Sequence, residues 1–223
     1  MRKKLTLIFL AACFLLSLTM TACAAESTSE TSANGTQAPE TGEQALPFAD
    51  VAPDAWYAVA VTYCYQNGIF TGTSAVTFSP DTTLSRAMLA TILYRMAGSP
   101  SLENEILGYP FADVPGDLWC ADAIYWARAE GIINGYANNT FLPNASVTRQ
   151  QAVTILWRYA GSPQASAGHF SDDSDISDWA RTAAGWALSA GLLTGWADST
   201  LQPQSALTRA EAAVLLARYL SGQ

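Results

Sequence analysis

An all-α fold made of three copies of one helix–loop–helix unit is what this sequence predicts, and two observations carry it. First, Trp56, Trp119 and Trp179 are each followed 12 residues later by Gly68, Gly131 and Gly191, and then by Gly72, Gly135 and Gly195. Pro80, Pro143 and Pro203 come next, and Arg86, Arg149 and Arg209 close a 30-residue spacing that is held three times. A fixed period of about 60 residues marks a repeat architecture. Second, the segment after each arginine is apolar nearly all round, as in Ala87, Leu89, Ala90, Ile92, Leu93, Tyr94 and Met96. A helix without a polar face is a buried helix.

The chain begins with Arg2, Lys3 and Lys4, and an uncharged apolar run from Leu5 to Leu18 follows. Residues 1–22 read as a signal peptide, since the run is too short for a membrane span of roughly 20 apolar residues. Two cysteines compete as the processed residue. Leu10-Ala11-Ala12-Cys13 resembles a bacterial lipobox in letters but leaves too short an apolar run before it. Met20-Thr21-Ala22-Cys23 stands at the right distance, so Cys23 is the expected lipidated residue; ordinary cleavage near Ala22-Cys23-Ala24 is the alternative.

Residues 24–46 are rich in Ser, Thr, Ala, Gly, Glu, Gln and Pro and read as a flexible linker. Loss of residues 1–22 removes three of the 11 basic residues and none of the 19 acidic ones. Eight cations then face 19 anions, a charge of −11, which argues against nucleic acid or an anionic membrane surface as the main partner. The reading is of an exported envelope chain whose membrane attachment is the lipid alone.

Three units follow, at residues 47–100, 101–163 and 164–221. Phe48-Ala49-Asp50, Phe111-Ala112-Asp113 and Phe170-Ser171-Asp172 open them. In each, a first helix starts near the tryptophan and ends at the first glycine, which supplies a left-handed cap. A loop runs on to the proline. Ser85, Thr148 and Thr208 then cap a second helix, and Gln151 and Glu211 complete capping boxes that Met88 breaks in the first copy. No unit can bury such a second helix alone. The three are therefore expected to fold as one monomeric, pseudo-threefold body, with the second helices in a central three-helix bundle.

Arg95, Arg158 and Arg218 lie near the helix C-termini, where the dipole favours a cation, and read as structural. Arg86, Arg149 and Arg209 directly follow the N-cap, where the dipole disfavours one. An anion is needed to compensate. It is either a ligand carboxylate, gripped by the guanidinium fork and free helix N–H groups, or the repeated Asp50, Asp113 and Asp172. Trp56, Trp119 and Trp179 offer ring faces for sugars, although their position at a helix start favours the core. Tyr136 and Trp196, just past the loop glycine, are the better-exposed platforms, and Thr73 takes that place in the first copy.

Phe-x-Asp-Val, Trp-Tyr-Ala, Gly-Ile-x-x-Gly, Phe-x-Pro and (Ser/Thr)-Arg-Ala-Glu, in this order, resemble the S-layer homology repeat. The likeness covers Phe48–Gly98, Phe111–Gly161 and Phe170–Leu220. It implies a pseudo-trimeric spindle whose inter-repeat grooves bind cell-wall glycopolymers, often secondary polysaccharides bearing a pyruvate ketal. It also implies that the aspartate, tryptophan and arginine of each motif, with backbone near Gly72, Gly135 and Gly195, line those grooves. The copies depart from the pattern unequally. The last motif reads Ser85-Arg86-Ala87-Met88, Thr148-Arg149-Gln150-Gln151 and Thr208-Arg209-Ala210-Glu211; Asp173 replaces a valine, and Leu201 replaces Phe78 and Phe141.

Other chemistry finds little support. Asp172, Asp173, Asp175 and Asp178 fail the calcium-loop pattern, because no glycine holds its sixth position and Ala184 holds its twelfth. His169 is the only histidine, so no His-based triad can be built on it. Cys64 and Cys120 read as free, buried thiols. No catalytic residue, metal or cofactor is expected. A glycan hydrolase needs a carboxylate pair about 5–9.5 Å apart, whereas one carboxylate repeats per unit. Three near-equal sites suit multivalent binding better than catalysis. The hydrolase and a protein–protein scaffold are the rival readings.

Overall fold

The computed structural model describes residues 46–102, 111–166, 168–193 and 199–222. The signal peptide, Cys23, nearly all of the linker, and Gly195 and Trp196 lie outside the described residues. Among those described there are six α-helices and no strand: α1 (Ala58–Gln66), α2 (Arg86–Met96), α3 (Ala121–Ala129), α4 (Arg149–Tyr159), α5 (Arg181–Ser189) and α6 (Arg209–Ser221). Short 3-10 turns at Asp173–Asp175 and Asp178–Ala180 lead into α5. Leu46, at the end of the expected linker, already packs on the core.

The expected caps form. Gly68, Gly131 and Gly191 take positive φ of 68°, 71° and 68° just past the first helices. Ser85, Thr148 and Thr208 accept from the third helical N–H, and the reciprocal boxes with Gln151 and Glu211 are present. The second helices bury both faces, as Leu89, Ile92, Leu93, Val153, Leu156, Ala213 and Leu216 show. Burying each of the larger of these side chains is worth about 1.5–3 kcal/mol.

The repeats connect in a cycle. α2 packs on α3, α4 on α5, and α6 on α1, so each second helix lies against the first helix of the next repeat. Cys64 of α1 reaches the Ala213 carbonyl of α6 at 3.5 Å. Just before the second helices, Leu84 N–H donates to Leu207 O (2.8 Å), Leu207 N–H to Val147 O (2.8 Å), and Val147 N–H to Leu84 O (2.9 Å). These three bonds close a ring, and all three leucine and valine side chains in it are buried. The second helices therefore meet through this ring at their N-terminal ends and through rings such as Tyr159 and Tyr219, 6.1 Å apart. Their closest packing is with first helices, which refines the expected bundle.

Candidate functional site

The loop between the two helices of each repeat is held by its opening aspartate. Asp50 accepts from Phe78 and Ser79 N–H, both at 2.7 Å. Asp113 accepts from Phe141 and Leu142 (both 2.8 Å), and Asp172 from Leu201 and Gln202 (2.8 and 2.7 Å). The second acceptor in each pair serves a left-handed residue: Ser79, Leu142 and Gln202 have φ of 58°, 58° and 53°. A side chain there is strained by roughly 1–2 kcal/mol, which two charge-assisted bonds offset. Burial pushes the Asp50 carboxyl up, but the Phe78 and Ser79 N–H groups and the Arg209 charge outweigh it and leave its pKa below the usual value.

The motif arginines reach across the repeat boundary to the same loops. Arg86 Nε donates to Phe141 O (2.8 Å) and its Nη2 to Asn134 O (2.9 Å). Arg209 repeats this on Phe78 O and Thr71 O, both at 2.8 Å. Arg149 Nε donates to Leu201 O (2.7 Å), and its Nη1 pairs with Glu211 at 3.0 Å. All three arginines are buried, and burial lowers their pKa values against the opposing charge of neighbouring acidic groups.

Neither anion expected for these arginines is their main partner here. Backbone carbonyls hold them, and Arg86 and Arg209 make no ion pair among the described residues. The repeated aspartates act only from a distance, Asp113 on Arg86, Asp172 on Arg149 and Asp50 on Arg209. The helix N–H groups expected to be free are also taken. Arg86 and Ala87 donate to Ala145 O and Pro143 O, Arg149 and Gln150 to Ser205 O and Pro203 O, and Arg209 and Ala210 to Thr82 O and Pro80 O. A loop from the next repeat fills each helix N-terminus.

The tryptophans correct the core reading. Trp56, Trp119 and Trp179 are 67%, 65% and 53% exposed. The residue after each turns inward instead, most fully Cys120 and Ala180. Trp179 borders a groove of about 140 Å³ together with Arg86, Asn134, Gln151 and Arg158, so all three repeats contribute to it. Trp119 borders a second hollow of about 420 Å³ with Asp113, Leu118 and Leu142. Tyr136 is half-exposed, and the Arg86 guanidinium lies 5.0 Å from its ring centre. Thr73, in the equivalent place, turns its hydroxyl to Ser79 at 2.7 Å.

Gly72 and Gly135 have a steric reason. A Cβ on Gly72 would stand 2.6 Å from both the Phe48 ring and Thr77 O, and one on Gly135 would stand 2.7 Å from Thr140 O. By its register on the helix Arg158 belongs with the structural arginines Arg95 and Arg218. Arg95 and Arg218 do bond Thr71 Oγ1 (3.4 Å) and Leu192 O (3.2 Å). Arg158 has no ion-pair partner among the described residues and faces the Trp179 groove. Its register alone, shared with Arg95 and Arg218, gave no signal of this.

The acidic cluster before α5 is used internally. Asp173 accepts from Phe170 N–H (2.9 Å) and contacts His169, and Asp178 pairs with Arg181 at 3.0 Å. No metal-holding group of three exists among the described residues. Cys64 and Cys120 are free and buried; burial pushes the Cys64 thiol up to about 12.

Fold and site together define a cyclic three-repeat module with one groove to which all three copies contribute. The S-layer homology domain matches residues 47–88, 110–153 and 169–213, and the chain belongs to this family. It is 32% identical to an endoglucanase of Bacillus sp. (strain KSM-635) over 81% of this chain and 19% of that protein. It is 31% identical to the surface-layer 125 kDa protein of Lysinibacillus sphaericus over 72% of this chain and 14% of that protein. A cellulosome-anchoring protein of Acetivibrio thermocellus is 30% identical over 51% of this chain and 26% of its own length. The chain thus spans about a quarter or less of each of these relatives, and the endoglucanase likeness covers only a small share of that enzyme.

Proposed function

We propose that this chain is a non-catalytic module that binds a cell-wall glycopolymer in the grooves between its repeats. The observation that carries the reading is Trp179. It is an exposed ring beside the guanidiniums of Arg86 and Arg158, in a groove to which all three repeats contribute. Aromatic faces stack on sugar rings, and guanidinium forks suit the carboxylates of acidic sugars, including pyruvate ketals. The surface-layer and cellulosome-anchoring relatives support a place at the cell surface. The module is exported, tethered to the membrane by a lipid on Cys23, and acts as a monomer with an internal pseudo-trimer.

The test is co-sedimentation with isolated bacterial walls before and after extraction of their polysaccharide. Binding that disappears with the polysaccharide supports the reading. Equal retention by stripped walls, or measurable wall hydrolysis by the purified chain, overturns it. For the anchor, radiolabelled palmitate is incorporated into the chain and lost in Cys23→Ala; label retained by that variant contradicts lipidation there.

A further inference from the structure

One buried polar side chain has no counterpart in the other repeats. Gln150, the second residue of α4, is buried, whereas the equivalent positions in α2 and α6 are Ala87 and Ala210. A buried amide is costly unless it is hydrogen-bonded. Gln150 Oε1 accepts from the Ser177 N–H of the third repeat at 3.0 Å. We propose that Gln150 is a positioning residue for Trp179, holding the turn that presents this ring to the groove. The assignment rests on the glycopolymer reading above and names a residue that sets the stacking platform without touching the sugar.

The start of α4 holds the third repeat at three points. Arg149 Nε donates to Leu201 O (2.7 Å), Gln150 N–H to Pro203 O (3.1 Å), and Gln150 Oε1 accepts from Ser177. The first two recur at the other boundaries, as Arg86 on Phe141 O with Ala87 on Pro143 O, and as Arg209 on Phe78 O with Ala210 on Pro80 O. The third does not, since an alanine carries no acceptor to offer.

The extra bond falls where the third repeat differs in length. Trp179 stands nine residues after Phe170, whereas Trp56 and Trp119 stand eight after Phe48 and Phe111. The longer segment runs through two 3-10 turns, and Ser177 is the extended residue that leads into the second, Asp178–Ala180. That turn packs on both α4 and α5. The backbone direction taken at Ser177 therefore sets where Trp179, two residues on, stands beside Arg86 and Arg158.

Two variants remove this bond from opposite ends. Gln150→Met keeps the buried volume and deletes the acceptor. Ser177→Pro deletes the donor, at φ −60° and after an extended Ile176, both of which suit proline. Gln150→Glu is the conservative control, because a carboxyl oxygen still accepts from the N–H.

The experiment labels the purified chain with 5-fluorotryptophan, assigns the Trp179 fluorine resonance by its loss in Trp179→Phe, and measures retention by isolated bacterial walls in parallel. Gln150→Met and Ser177→Pro are each expected to move the Trp179 resonance while those of Trp56 and Trp119 stay in place. Both should weaken wall binding by about threefold to tenfold, and Gln150→Glu should restore the resonance and the binding. A Trp179 resonance unmoved by both bond-deleting variants overturns the positioning role. A moved resonance with full wall binding overturns its consequence for the ligand, and weakened binding in Gln150→Glu equal to that in Gln150→Met overturns the part assigned to the hydrogen bond. A wild-type chain that walls do not retain overturns the glycopolymer reading and this assignment with it.

Discussion

Arg86 and Asp113, from adjacent repeats, grip the same residue from its two sides: Asp113 takes the Phe141 N–H at 2.8 Å, and Arg86 Nε donates to the Phe141 carbonyl at 2.8 Å. The same relation joins Arg149 and Asp172 at Leu201, and Arg209 and Asp50 at Phe78. One motif residue fixes the loop within its repeat, and the other fixes that loop to its neighbour. These residues at repeated spacing therefore fix each loop and join it to the neighbouring repeat.

Asp113→Ala is expected to destabilise the chain by about 1–3 kcal/mol, because it strands two N–H groups and frees a left-handed Leu142. Urea unfolding reads this directly. A midpoint equal to the wild type would contradict the loop-holding role.

Arg209→Ala leaves the Phe78 and Thr71 carbonyls without donors between the third and first repeats, and should cost about 2–4 kcal/mol. Arg209→Lys should recover only part of this, since a single ammonium cannot reproduce the fork that spans both carbonyls. Thermal unfolding of the two variants checks the order. It follows that alanine at all three motif arginines disturbs folding, and loss of binding in that variant says little about ligand contact.

Leu142→Gly should stabilise the chain by about 0.5–1 kcal/mol. A leucine at φ 58°, half-exposed, loses more to strain than it gains in burial, and glycine adopts this conformation freely. A lower unfolding midpoint in the variant would mean that Leu142 packing outweighs the strain.

The Asp50 carboxyl titrates lower in the folded chain than in the unfolded one. Its contribution is complete above the unfolded carboxyl value of about 3.9 and is lost as pH falls through the folded one. The stability of Asp50→Asn should therefore fall less steeply than that of the wild type between about pH 5 and pH 2. Parallel acid limbs in the two chains would contradict the shift.

Much of the scaffold was legible in the sequence, because its signals are local. The N-caps at Ser85, Thr148 and Thr208, the capping boxes and the left-handed glycines each depend on a few neighbouring residues, and all formed as expected. The cyclic order of packing was implied only by the repetition itself. The site was less legible, because its partners lie 48–138 residues apart along the chain. Nothing near Arg86 in sequence reveals that the carbonyls of Asn134 and Phe141 will hold it. Nor does helical register distinguish Arg158, which faces an open groove, from Arg218, which bonds Leu192. The tryptophans misled for a related reason: at a helix start, one residue's rotation decides between core and water, and Cys120 and Ala180 took the inward place.

The central claim is that Trp56, Trp119 and Trp179 serve the ligand and not the fold. The most direct measurement takes one variant, with all three changed to alanine, and reads both its unfolding midpoint and its retention by isolated bacterial walls. Because the rings are more than half exposed, the midpoint is predicted to stay within about 1 kcal/mol of the wild type while wall binding is lost. Full wall binding by the folded variant would contradict the claim.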